Sequence, residues 1–144
     1  MKTRLFPDLS DNHRRSLSTT LALVDEALCE FEQWARGREQ QSVFYCETNS
    51  LDEGQRREIL IQIERIREVF AELKDSLNLR ASTRDAANSI WGQCSCLWVN
   101  FEEMKGRHLK RYGNLPADFD EYIDPKASLM IGMLDRILAA VKRK

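Results

Sequence analysis

Two cysteines around a serine, Cys94-Ser95-Cys96, are the first residues in this chain whose types would support chemistry. Paired thiols hold zinc or exchange as a disulfide. On a regular helix, positions two apart point about 200° away from each other, so this pair does neither unless the helix breaks. Cys94 also falls on the apolar stripe of its segment, where a cysteine packs as a small hydrophobe. The only histidines, His13 and His108, fall far apart in an up-down bundle, and the Glu-x-x-His motif of di-iron bundles is missing. Asp118, Asp120, Glu121 and Asp124 crowd one segment in the manner of a calcium loop. Counting from Asp118, however, the glycine and glutamate of an EF-hand are replaced by Ile123 and Leu129. Glycine-rich phosphate loops, a nucleophile elbow and zinc-protease motifs are also missing. The sequence therefore assigns no catalytic residue, no metal and no cofactor, and it leans away from an enzyme.

The strongest local charge signal is Lys105-Gly-Arg-His-Leu-Lys-Arg-Tyr-Gly113. Lys105, Arg107, Lys110 and Arg111 have the character to grip phosphates, with Tyr112 to stack on a base. The plainer reading is a solvated helix end whose cations complement the helix dipole and meet the acidic 118–124 segment. A different signal comes from Trp91, Trp98 and Leu109 on one flank of a helix, and from Ile131 and Leu138 on the next. They exceed what a narrow core stripe requires. Exposed tryptophans in such a place mark a contact with another protein surface.

These residues must be positioned by helices. In residues 58–78, Ile59, Ile63, Ile66, Phe70, Leu73 and Leu77 recur at steps of four and three, which places them in one narrow arc of a helix. Leu17, Leu21, Val24, Leu28, Phe31 and Ala35 repeat the pattern upstream, and Ile90, Cys94, Leu97, Phe101, Met104 and His108 repeat it downstream. Met130, Met133, Leu134, Ile137, Ala140 and Val141 give a broader face near the C-terminus. The boundary signals agree. Ser10 or Asp11 caps the first helix, and Gly37 stops it. Ser50-Leu-Asp-Glu53 reads as a capping box, and Ser82-Thr-Arg-Asp85 as a weaker one. Asp124-Pro125 reads as a cap followed by proline at the first helical position.

The expected fold is all-α: an antiparallel up-down four-helix bundle with three long helices and one shorter C-terminal helix, forming one domain over 1–144. The helices are expected at about 11–36, 51–78, 83–112 and 125–142, behind an N-terminal arm at 1–9. Ile66, Leu97 and Ile137 are expected together in its interior. The aromatic connector 38–50 is expected to plug one end, and the 114–124 loop to turn Phe119 and Tyr122 inward.

Composition narrows the function classes. The chain has 144 residues, 42% hydrophobic and 31% charged, which suits one globular core rather than disorder. A net charge of −1 supplies no global field to recruit nucleic acid or a membrane surface. No apolar run approaches the roughly 18 residues of a membrane span, and residues 1–16, basic but without an apolar core, are not expected to act as a secretion signal. Four cysteines without framework spacing fit a cytoplasmic protein. The leading expectation is a non-enzymatic protein–protein interaction or self-association module, with a homodimer as the simplest partnership. The alternative is a nucleic-acid-binding or nuclease-like bundle using the basic 105–111 segment.

Overall fold

The computed structural model describes residues 4–142. Its regular elements are helical, apart from a single β-bridge between Gln41 and Cys46. In chain order they are α1 (Asp11–Ala35), α2 (Glu53–Ser76), α3 (Ala86–Glu102), α4 (Gly106–Leu109) and α5 (Phe119–Lys142). A 3₁₀ turn at Lys110–Tyr112 follows α4. The chain divides into two compact units, Met1–Ser82 and Thr83–Lys144.

The first unit is an antiparallel pair of α1 and α2. Ser10 caps α1, its hydroxyl accepting the His13 amide hydrogen at 3.1 Å. The helix ends in a Schellman motif: Arg38 N–H donates to the Gln33 carbonyl and Gly37 N–H to that of Trp34. Gly37 has φ +100°, which a side chain at this position would oppose. Asn78, with φ 52°, closes α2 in the same way, Leu79 N–H donating to the Lys74 carbonyl. Leu28, Ala35, Ile63 and Leu79 form the buried seam. Beside it, Arg67 of α2 grips Glu32 of α1 with two donors, at 2.9 and 3.4 Å. The arm folds back onto the far end: Phe6 N–H donates to the Ser76 carbonyl, and the Arg14 guanidinium reaches the carbonyls of Leu77, Leu9 and Phe6.

The second unit pairs α3 with α5 around Cys94, Ala127 and Leu134. Lys142, at the end of α5, lies 5.6 Å from the ring of Trp91 near the start of α3, so this pair is antiparallel as well.

Three sequence expectations are corrected. The first is the bundle itself. The described residues form five helices rather than four, and the C-terminal helix is not the short one: α5 has 24 residues and α3 only 17. Ile66, Leu97 and Ile137 are 36%, 42% and 45% exposed rather than sealed in a shared interior. Within its unit each long helix buries a thin seam against a single long partner, and much of the remaining apolar arc is half-buried or exposed.

The second correction is the helix expected over 83–112. It breaks after Glu102, because Lys105 turns extended at ψ 150°. The break lets Gly106 approach α5 so closely that a Cβ there would collide with the Asp120 carboxylate. Gly106 N–H, at the start of α4, donates to Asp124 Oδ1 at 2.8 Å. Asp124 is thus a cap, but of α4 rather than of its own helix. The third correction follows. Helix α5 begins at Phe119, after Asp118 at φ 66°, so Pro125 lies inside the helix rather than at its first position. Smaller shifts accompany these. The capping box of α2 is Asp52 with Gln55, two residues beyond the expected pair. Residues 1–3 of the expected arm, and positions 143 and 144, lie outside the described residues.

Candidate interaction surfaces

Seen down the axis of α3, Cys94 is the buried contact with α5. Trp91 and Trp98 fall about 40–60° to one side of it, and Ile90 and Leu97 the same distance to the other. All four are exposed by roughly two-fifths or more. On α5, Met133 and Ile137 stand exposed beside the buried Leu134, and Leu129 lies exposed on the far side. Ile131 and Leu138 are half-buried on that helix, as is Leu109 on α4. The expected surface residues therefore share one unit, with the tryptophans most open. Sequence periodicity placed Ile90, Leu97, Met133 and Ile137 in the core, because it reports which arc is apolar and not what covers it. The first unit repeats the arrangement: Val24 and Phe31 are open beside the buried Leu28, and Ile66 beside the buried Ile63, with Val69 exposed farther round α2.

The basic segment carries its own counter-ions. Glu102 takes both Lys105, at 3.2 Å, and Arg107, at 2.9 Å. Arg111 meets Glu103 and Lys110 meets Asp120, each at 3.6 Å. These pairs bracket the break between α3 and α4. The acidic segment borders an open cleft of about 570 Å³ lined in part by Lys110, Asp118, Asp120 and Glu121. Among the described residues, no three His, Cys, Asp or Glu side chains gather as a metal-binding group. No protein-family model matches this chain, and no curated protein or solved structure matches it either. No helix among the described residues is long and apolar enough to cross a membrane.

The connector between α1 and α2 is the most highly organised loop. It contains a small hairpin: Ser42 N–H donates to the Tyr45 carbonyl and Glu47 N–H to that of Gln40, each at 2.8 Å. Glu47 holds it from below. Its carboxylate accepts the Gln40 amide at 3.0 Å, the Tyr45 hydroxyl at 2.8 Å and an Arg38 guanidinium hydrogen at 3.3 Å. The Gln40 amide first, then the Tyr45 hydroxyl, hold the Glu47 carboxyl far below the usual range, at about 2. The same bond pushes the Tyr45 phenol up. Asn49 completes the frame, its amide donating to the carbonyls of Trp34 and Arg38, each at 2.8 Å. At the tip, Val43 is 86% exposed and Phe44 fully so. Phe44, expected with Tyr45 to plug an end of the fold, therefore points outward, while the Tyr45 hydroxyl turns to Glu47. The run Val43-Phe44-Tyr45 was visible in the sequence, but its direction depends on Glu47, which carries no pattern.

Proposed function

We propose that this protein is a non-enzymatic helical association module whose partner is a protein surface, foremost a second copy of the same chain. The observation that supports this reading is the open apolar flank repeated on α1, α2, α3 and α5. Contiguous apolar surface of this kind is rare on a protein that works alone. Two helices of a hairpin cover each other along one seam, and a wide stripe is satisfied only by further neighbours. A second copy offers the same stripes and closes on itself by two-fold symmetry. The four cysteines stand as free thiols, and the reading takes the cytoplasm as its compartment. The nucleic-acid alternative gains no comparable support, since Lys105, Arg107, Lys110 and Arg111 each stand beside a carboxylate.

Sedimentation equilibrium tests the reading. The wild-type chain is expected to form dimers or larger species at micromolar concentration. Leu97→Glu with Ile137→Glu, which places charge on two open flanks, is expected to shift it to monomer with its helical circular dichroism retained. A wild-type protein that stays monomeric at every concentration would overturn self-association. A doubly charged variant that associates as well as the wild type would overturn the helix flanks as its route.

A further inference from the structure

An apolar tip projects from the hairpin, and a mostly apolar cleft opens at its base. The tip is a knob: Val43 and Phe44, projecting from a turn fixed by two backbone hydrogen bonds and by Glu47. The cleft has a volume of about 360 Å³ and is lined by Trp34, Glu47, Thr48, Asn49, Ser50 and Leu51, its exposed walls mostly apolar. Glu47 is its one charged residue, and that carboxylate is already committed to Gln40, Tyr45 and Arg38. Residues 40–46, Gln-Gln-Ser-Val-Phe-Tyr-Cys, carry no charge in a chain that is 31% charged. The tip is therefore uncharged, and the one carboxylate of the cleft is engaged by groups of its own loop.

We infer that the 36–52 connector is a self-docking device, in which Phe44 of one chain enters the Trp34–Leu51 cleft of a second copy. The committed occupant of the cleft is thus a second copy of this chain. The cleft has room for an aromatic ring, and Trp34 supplies a face for it to pack against. One chain cannot serve itself, because the hydrogen-bonded turn holds Phe44 out in solvent, away from its own cleft. A two-fold axis between two connectors fills both clefts at once, residue 44 meeting 34 and 51 in each direction, which closes the assembly instead of propagating it. The fixed turn lowers the ordering cost that a mobile loop would add on binding. Buried aromatic anchors of this kind carry most of an interface's energy. An anionic membrane is a poorer occupant, because no cation flanks the tip between residues 40 and 46.

This inference rests on the self-association proposed above but uses a contact outside the helix flanks, so the two are separable. The decisive experiment places photoreactive benzoyl-phenylalanine at position 44 in the full-length chain. ¹⁵N-labelled and unlabelled chains are mixed and irradiated, and adducts are mapped by mass spectrometry. The expected adduct joins a labelled to an unlabelled chain at Trp34 or within 47–51. Phe44→Ala supplies the affinity. Because Phe44 is fully exposed, the variant is expected to keep its helical content and to weaken dimerisation about tenfold or more. Adducts confined to one chain, adducts mapping elsewhere, or an unchanged dissociation constant would each overturn the inference. If Phe44→Ala is silent while Leu97→Glu with Ile137→Glu breaks the dimer, the helix-flank reading stands and this one falls. The opposite pattern upholds the connector and removes the flanks. A strictly monomeric wild type removes both.

Discussion

At the scale of single residues, the connector depends on one carboxylate. Glu47 keeps only 9% of its side chain exposed and accepts from the Gln40 backbone, the Tyr45 hydroxyl and Arg38. In the unfolded chain a glutamate titrates at about 4.3, whereas in the fold Glu47 is held down to about 2. A folded-state value below the unfolded one means that the unfolded chain binds the proton more readily. The stabilisation is therefore complete above about pH 5 and is lost as pH falls from there toward 2. Glu47→Gln keeps the shape and removes the charge. Thermal unfolding followed by circular dichroism is expected to find the variant less stable than wild type at pH 7, with the gap shrinking steadily between about pH 5 and pH 2. A gap that stays constant over that interval would show that the Glu47 charge does not hold the turn. Glu32 adds to the acid sensitivity of the wild type in the same direction, since its bond to Arg67 lowers its carboxyl as well. It is unchanged in the variant and cancels from the comparison.

At the scale of elements, the region from α3 to α5 separates what the sequence carries from what it does not. The four-and-three spacing identified the long helices, and Ser10 and Gly37 marked the two ends of α1, because caps and left-handed stops act within a few residues. The break after Glu102 left no such mark. Met104 and His108 continue the apolar step across it, and the bond that goes with it spans 18 residues, from the Gly106 amide to Asp124. The same distant bond hid the start of α5, since Asp124-Pro125 has the form of a helix beginning. The two readings differ measurably. If α5 began at Pro125, Pro125→Ala would change stability little, as the first helical position has no hydrogen bond to lose. With α5 beginning at Phe119, Pro125 leaves the Glu121 carbonyl without its helical donor and crowds it. Pro125→Ala is then expected to stabilise the protein by about 1–3 kcal/mol, a rise of several degrees in Tm. A neutral or destabilising result would place the start of α5 back at Asp124.

At the scale of the whole molecule, the association proposed above has a consequence for stability. The buried seams are small: Leu28, Ala35, Ile63 and Leu79 in one unit, Cys94, Ala127 and Leu134 in the other. Helix pairs with so little interior are marginal on their own, because the burial of apolar surface must offset a conformational entropy cost of about 1–2 kcal/mol per residue for the backbone alone. In the dimer proposed above, covering Val24, Phe31, Leu97, Trp98, Met133 and Ile137 against a second copy would add burial at roughly 25 cal/mol for each Å² of apolar surface removed from water. Folding and association then become one equilibrium, and stability depends on protein concentration. Each tenfold rise in concentration favours the dimer by about 1.4 kcal/mol. With an unfolding entropy near 2.1 cal/mol/K for every residue of two chains, that corresponds to a Tm rise of about 2–3 °C. Calorimetry across a hundredfold range of concentration is therefore expected to show a rise of about 4–6 °C in wild type. The same scan on Leu97→Glu with Ile137→Glu is expected to be flat and to begin at a lower Tm. A wild-type Tm independent of concentration would mean that these seams suffice for the single chain, and the open flanks would then have to be explained by a different partner.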